Sequence, residues 1–376
     1  MKGTNSINLN DFRLRAKKRL PSIIFDYLEG GAGEEFGLQH NRDVLKQIRF
    51  QPRRLRDVSK RDSTTLLFGK CFSAPLLIAP TGLNSVFWPL GDIALARAAA
   101  RESVPFILST ASNSSIEDVA RHSDGDLWFQ LYVVHRALAE QMVRRVLAAG
   151  YSTLVLTADV AVSGNRERDL RNNFKLPLRY TPALVLDGIT HPRWGWGAFR
   201  SGMPTMANFA GLDHADAVGQ AALMKRQMDA SFDWADLVWL RHLWPHRLLV
   251  KGITSPADAV QCIACGVDGV ILSNHGGRQL DDCLSPIEIL SATAAKVSKP
   301  ILIDSGFRCG SDIVKAIALG ASGVLLGRAM LYGLAAAGEA GVSDVIRLLK
   351  QEIDLTLAQI GCPSIAQLTP EYLLNP

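Results

Sequence analysis

Residues 273–281, Ser-Asn-His-Gly-Gly-Arg-Gln-Leu-Asp, put a titratable imidazole, His275, three positions before a guanidinium, Arg278, with two glycines between them. They follow the apolar run 269–272, which reads as a short buried strand, so the pair stands where a strand meets its loop. At that end of a barrel strand a histidine can act as a base and an arginine can hold an anion. The glycines let a flat molecule lie against the backbone. A polar turn around a satisfied histidine is the plainer reading, but the nonapeptide as a whole favours chemistry.

Eight β-rich runs are predicted, at 75–79, 105–108, 127–133, 153–157, 247–250, 269–272, 300–303 and 323–326, each followed by a helical pattern such as 92–102 or 311–319. Strict alternation of continuous apolar strands with helices implies an α/β fold with a parallel sheet, and eight units imply a closed (β/α)8 TIM barrel. An open doubly wound sheet is the rival, but no GxGxxG follows an early strand. Residues 9–50 look helical, broken at Pro21 and ended by Gly30 and Gly31. The expected layout is an N-terminal helical segment over 1–74, the barrel over 75–361 and a C-terminal tail over 362–376.

The residues at or just past the strand ends are Thr81 and Gly82; Ser109 and Thr110; Gln130 and Tyr132; Thr157 and Asp159; Lys251; Ser273, His275 and Arg278; Asp304, Ser305, Gly306 and Arg308; and Gly327 and Arg328. Buried polar groups need partners, so polar residues at eight consecutive strand ends predict one large site. Gly306, Arg308, Gly327 and Arg328 follow the last two strands, where barrels often hold a phosphate. Ser109, Gln130 and Thr157 are neutral hydrogen-bonders suited to the edges of a heterocycle. Lys251 could set positive charge against an electron-accepting ring, or serve in a structural ion pair. FMN fits both halves. Tyr27, in the helical pattern before Gly30, is either a half-buried core phenol or a hydroxyl shown to a ligand.

A chain of 376 residues, 48% hydrophobic, can bury a large core, and a net charge of +5 without a basic block interleaved with aromatics argues against nucleic acid. Six cysteines and a polar stretch over 1–18, without the apolar core of an export signal, suit a reduced, cytoplasmic setting. Cys262 and Cys265 form a CxxC without a second pair at zinc-site spacing, so helix packing is expected there and no metal. The apolar run 320–338 is interrupted by Arg328 and glycines, and reads as a strand turning into a helix rather than a membrane span.

About seventy residues separate the fourth strand from the next helical pattern near 233–242, far more than an ordinary βα loop. Within this insertion, 160–230, the stretch 171–203 carries Arg171, Lys175, Arg179, Arg193 and Arg200 against Asp187 alone. Leu176, Leu178, Ala183-Leu184-Val185-Leu186, Trp194, Trp196 and Phe199 accompany these cations. Two readings stand: peripheral contact with an anionic bilayer, or a lid folded over the barrel mouth.

The nonapeptide, the run Gln130-Leu131-Tyr132, Val250-Lys251-Gly252 and Asp304-Ser305-Gly306-Phe307-Arg308 together resemble the FMN-dependent L-2-hydroxy acid oxidising family over nearly the whole chain. Gly82-Leu83-Asn84, residues 166–170, His191-Pro192-Arg193-Trp194 and residues 227–232 are more narrowly similar to its membrane-associated bacterial branch acting on (S)-mandelate. The resemblance implies that His275 is the base, with Asp159 paired to its imidazole. It implies that Arg278 and Tyr27 hold the substrate carboxylate, that Tyr132 contacts the hydroxyl and that Arg166 adds positive charge. Lys251 would sit at the N1 and O2 edge of the flavin. Oxidation of (S)-mandelate to phenylglyoxylate would pass two electrons to FMN and then to a membrane quinone, by a carbanion or a hydride route. A homotetramer on the inner face of the cell membrane is implied as well.

Gly82 stands where the family's oxidases generally carry Ala, which hints at a dehydrogenase. Ser305 replaces a glycine of their phosphate turn and should leave FMN binding intact. The alternatives are a soluble oxidase or dehydrogenase for lactate, glycolate or another 2-hydroxy acid, and, more remotely, a non-catalytic barrel that binds a partner.

Overall fold

Alternate residues of one strand after another point into and out of a single closed cylinder. Leu77, Ile107, Trp128, Val155, Leu249, Ile271, Leu302 and Leu325 fill its interior, while Leu76, Ile78, Phe106, Leu108, Leu154 and Leu156 pack outward against helices. Both faces are apolar, which is why the strands read as unbroken hydrophobic runs. The computed structural model describes residues 6–174, 181–201, 205–209 and 228–374.

The chain begins with helices α1 (Leu9–Arg19), α2 (Ser22–Glu29) and α3 (Phe36–Gln47), then short strands β1 (Arg49–Phe50), β2 (Thr65–Leu67) and β3 (Lys70–Phe72). The barrel strands are β4 (Leu76–Ile78), β5 (Phe106–Ser109), β6 (Leu127–Leu131), β7 (Thr153–Thr157), β8 (Arg247–Ile253), β9 (Gly269–Leu272), β10 (Ile301–Ile303) and β11 (Gly323–Leu326). All eight pair in parallel, and β11 returns to β4 through Val324↔Leu76 and Leu326↔Ile78 to close the barrel. Helices such as α4 (Gly91–Arg101) and α5 (Ile116–His122) form the outer layer. The expected (β/α)8 barrel is the observed fold.

Two parts of the layout need correction. The segment over 1–74 is helical only to Gln47: β2 and β3 form a hairpin turned by Phe68 and Gly69, both at positive φ. Its Leu67 and Phe72 join the interior core, and Phe68 meets the Trp128 ring edge-on at 5.9 Å. The hairpin is thus the plug of the barrel's lower end. The C-terminal residues are no loose tail either, because β12 (Leu373–Leu374) pairs antiparallel with β1.

The insertion after β7 folds as α6 (Arg136–Ala148) and its neighbours do not: it leaves the barrel as α7 (Glu167–Arg171), α8 (Pro182–Thr190) and α9 (Pro192–Ser201), then a 3-10 turn at Ala207–Phe209, and returns to α10 (Trp234–Leu243). Lys175, Leu176, Leu178, Arg179, Met203 and Gln227 lie outside the described residues, as do the side chains of Ala183 and Arg200. The α8–α9 pair has two faces. Leu184 and Trp194 are buried, with Trp194 Nε1 donating to Val86 O at 2.8 Å, and Ser22 N donates to Asp187 at the start of α2. Leu186, Ile189, Trp196 and Phe199 face outward, 66–79% exposed.

The run 320–338 becomes β11 and the first turns of α14 (Arg328–Ile360), which is broken at Ala337 and Gly338. Intervening barrel helices are α11 (Pro256–Ala264), α12 (Pro286–Ala294) and α13 (Gly310–Ala318). Among the described residues no helix is long and apolar enough to cross a membrane. Cys262 is buried in α11, and burial pushes its thiol up to about 12.

Candidate active site

Backbone strain sets the position of the central histidine. His275, Gly276 and Gly277 all take positive φ (59°, 67° and 72°), a conformation an L side chain adopts only when its surroundings hold it there. Several bonds do so. His275 N donates to Ser273 Oγ at 3.0 Å, Gly276 N to Ser305 Oγ at 3.0 Å and Gly277 N to Asn274 Oδ1 at 3.1 Å. Asn274 in turn exchanges reciprocal amide bonds of 2.8 and 2.9 Å with Asn41 of α3. A Cβ on Gly277 would stand 2.6 Å from Leu38 N, so the close approach of α3 also requires glycine there.

The imidazole so placed has Nδ1 at 3.0 and 3.2 Å from the two carboxylate oxygens of Asp159. An Nδ1–H donated to that carboxylate leaves Nε2 as the free basic nitrogen. Burial pulls the imidazole below its ordinary value more strongly than Asp159 raises it, and Lys251 and Arg166 pull the same way. It is therefore neutral near pH 7 and able to accept a proton. Burial alone would raise the Asp159 carboxyl, but His275 and Lys251 together carry it below the usual range.

A cavity of about 210 Å³ opens at the C-terminal ends of the strands. Tyr27, Thr81, Gly82, Ser109, Tyr132, Arg166, Lys251, His275, Arg278, Asp304, Gly306, Arg308, Gly327 and Arg328 line it. Asp159, Gln130, Thr157 and Ser273 are absent from its wall. Asp159 and Ser273 bond directly to groups that line it, and Ser109 Oγ donates to Gln130 Oε1 at 2.9 Å. Thr157 is buried at the end of β7, beside Lys251 in the sheet.

Lys251 is buried, with Nζ at 3.1 Å from Asp304 and donating to Ser273 Oγ at 2.8 Å. Burial would lower its pKa, but Asp304, Asp159 and Tyr132 outweigh it and keep the ammonium charged. Tyr132 is pushed up to about 12, first by burial and then by Asp159, so its phenol keeps its proton. Arg278 Nη1 donates to Tyr27 O at 2.9 Å and Gly30 O at 2.7 Å, with its guanidinium 5.1 Å from the Tyr27 ring centroid. That ring is stacked between Phe174 at 4.4 Å and Phe87 at 6.2 Å. Arg166 Nε reaches Arg278 O at 3.3 Å.

Three guanidiniums, Arg278, Arg308 and Arg328, gather in this cavity. Arg328 is lowered to about 9, by burial first and then by the like charges of Arg278 and Arg308. Its Nε, Nη1 and Nη2 donate to Leu28 O, Gly276 O and Gly30 O at 3.1, 2.9 and 2.8 Å. Arg308 Nη1 donates to Phe307 O at 2.8 Å. Part of the donor capacity of both arginines therefore goes to the backbone.

A family profile for FMN-dependent dehydrogenases matches residues 16–375. The chain belongs to that family. It is 62% identical to an (S)-mandelate dehydrogenase of Pseudomonas putida over 371 residues, 99% of this chain and 94% of that protein. It is 40% identical to an L-lactate dehydrogenase of Pectobacterium atrosepticum, covering 97% and 96% of the two. A solved structure described as the monotopic membrane protein (S)-mandelate dehydrogenase superposes with a TM-score of 0.96 at 62% identity, covering 99% of this chain and 100% of that one.

The residues present fit FMN, the family's cofactor. Gln130 Nε2 and Thr157 Oγ1 are buried without a hydrogen-bond partner, which is what a heterocycle's edge would supply. The crowded guanidiniums Arg308 and Arg328, beside Gly306 and Gly327, match a dianionic phosphate.

Sequence reasoning passed over several residues of this site. Ser305 stands among the strand-end residues of the sequence, but its bridging of two loops is not readable there: its hydroxyl accepts from Gly276 N and donates to Asp304. The Asn41–Asn274 pair, the Phe87–Tyr27–Phe174 stack and the apolar wall of Leu83, Val160, Met206 and Met228 are brought together by tertiary structure alone.

Proposed function

We propose that this chain is an (S)-mandelate dehydrogenase of the membrane-associated kind. The observation that carries the reading is the pairing of His275 with Asp159 beside a cavity lined by both cations and apolar side chains. The 62% identity to the Pseudomonas putida enzyme supports the substrate.

In this reading Arg278 holds the substrate carboxylate, with Arg166 adding charge and the Tyr27 hydroxyl a further bond. Tyr132 donates to the substrate hydroxyl oxygen. His275 Nε2 takes the proton, and Asp159 stabilises the imidazolium that results. The wall of Leu83, Phe87, Val160, Met206 and Met228 receives the phenyl ring. Bound FMN supplies the two-electron acceptor. Thr81, Ser109, Gln130, Thr157, Lys251 and Ser273 would hold its ring, and Asp304, Gly306, Arg308, Gly327 and Arg328 its ribityl phosphate. The final electron acceptor is a membrane quinone, reached because the outward face of α8–α9 seats the protein on the inner face of the cell membrane. Assembly as a homotetramer belongs to the same reading.

Anaerobic addition of (S)-mandelate to the flavin-loaded protein is expected to bleach the oxidised flavin band at once. Bleaching by lactate or glycolate but not by (S)-mandelate would keep the chemistry and discard the substrate. Rapid peroxide formation in air would replace the quinone by oxygen.

A further inference from the structure

The outward face of the insertion lies beside a cationic feature that the reaction does not use. Helix α1 ends in Lys17-Lys18-Arg19, and the Arg19 guanidinium lies 4.1 Å from the centroid of the Trp88 ring. That ring is fixed: Gly338, at φ +62° in the break of α14, has Trp88 atoms 2.5–2.8 Å from where a Cβ would stand. Arg19 Nε is buried without a hydrogen-bond partner.

Arg193, in the first turn of α9, is the charged neighbour. Burial lowers the Arg19 pKa, and the Arg193 cation lowers it further. Among the described residues neither arginine has an ion pair with a carboxylate, although Arg13 pairs with Glu29, Arg145 with Glu117 and Arg168 with Glu35. Two adjoining cations without a counter-charge repel, and an anion between them removes the cost.

The surroundings say which anion. Trp196 and Phe199 stand outward on the same helix as Arg193, with Leu186 and Ile189 on α8 and Leu90 next to Trp88 in the chain, all 64–79% exposed. A Cβ on Gly197 of α9 would stand 3.4 Å from Pro89, and Trp194 bonds to Val86 O, so the two segments lie side by side. An arginine on an aromatic floor with a second arginine's charge felt nearby suits the flat, two-oxygen face of a phosphodiester. Apolar side chains at its rim suit acyl chains rather than water.

We propose that Arg19 and Arg193, over Trp88, bind the headgroup phosphate of an anionic phospholipid. The site fixes the depth and orientation in which the α8–α9 face meets the bilayer. It rests on the membrane reading above, extends the contact beyond 171–203 to α1 and Trp88, and makes it selective for anionic lipid.

The test is co-sedimentation of the flavin-loaded protein with vesicles of phosphatidylcholine alone or mixed with phosphatidylglycerol, flavin absorbance reporting intact folding. The parent chain is expected to favour the mixed vesicles. Arg19→Gln and Arg193→Gln should each lose ~10-fold of that preference, more than the ~5-fold of one surface cation. The double variant should lose little more than either single one, because one ligand bridges both groups. Arg19→Lys should not restore binding, lacking the planar fork. Phe199→Asp should lose both kinds of vesicle. Independent, multiplying losses, rescue by lysine, or release by inorganic phosphate at matched ionic strength would each overturn the site. Equal binding to both vesicles would overturn it and leave the membrane reading standing, whereas binding to neither would end both.

Discussion

The hydroxyl of Ser305 receives the backbone N–H of Gly276 at 3.0 Å, and donates its own proton to Asp304 Oδ1 at 2.7 Å. One side chain after β10 thus fixes the loop after β9 that carries His275, and orients the carboxylate that pairs with Lys251. Ser305 itself sits at φ 78°. Ser305→Ala loses these bonds, and a longer one from Asn274 N at 3.4 Å, and keeps the strained backbone, and should cost about 1–2 kcal/mol by denaturant unfolding. Ser305→Gly relieves the strain and should cost less. A larger loss from glycine than from alanine would show that the backbone at Ser305 is not strained, and a negligible loss from alanine would show that the hydroxyl is incidental.

The acid limb of kcat/KM should lie below pH 6.5. His275 works as a base only when neutral, and its pKa is lowered by burial beyond what Asp159 restores. Asp159→Asn removes the one charge that raises it, so the limb should move to still lower pH while the plateau falls roughly 10²–10⁴-fold. A limb that moves upward in the variant would assign the titration to another group.

Arg278→Lys should raise KM for (S)-mandelate about 10–100-fold, the worth of a charge-assisted bond. The lysine also abandons Tyr27 O and Gly30 O, so part of the loss is positional. Steady-state kinetics beside the binding of a carboxylate inhibitor separates the two: kcat should fall less than affinity.

Lys251→Met leaves Asp304 buried without its counter-charge. Breaking such a pair from one side costs roughly 3–5 kcal/mol. The expected product is a protein with lowered unfolding midpoint and little bound flavin, read by absorbance after gel filtration.

The barrel was legible because its strands are apolar on both faces and its helices fall between them at regular spacing. The strand-end residues were legible for the same reason: once the strands are placed, the next polar residue belongs to the mouth. What escaped notice depends on distant pairs. Nothing near Phe174 says that it will stack on Tyr27, and nothing near Asn41 announces Asn274. The β2–β3 hairpin falls inside the stretch expected to be helical, since three-residue strands carry too little pattern, and the 373–374 strand is shorter still. The apolar side chains of the insertion divide between two faces. Met206 and Met228 line the cavity, while Trp196 and Phe199 point away from the protein.

Arg328 binds Leu28 O and Gly30 O across roughly three hundred residues of sequence, and Gly276 O across 52. During synthesis, the turn that ends α2 and the loop that carries the histidine must wait for a side chain that emerges only after the eighth barrel strand. Contacts of such separation form late, after the loop-closure entropy has been met. A nascent chain stopped before Arg328 could hold all eight barrel strands and still lack the clasp between that turn and that loop, so uptake of the cofactor would mark the end of folding and not an early step in it.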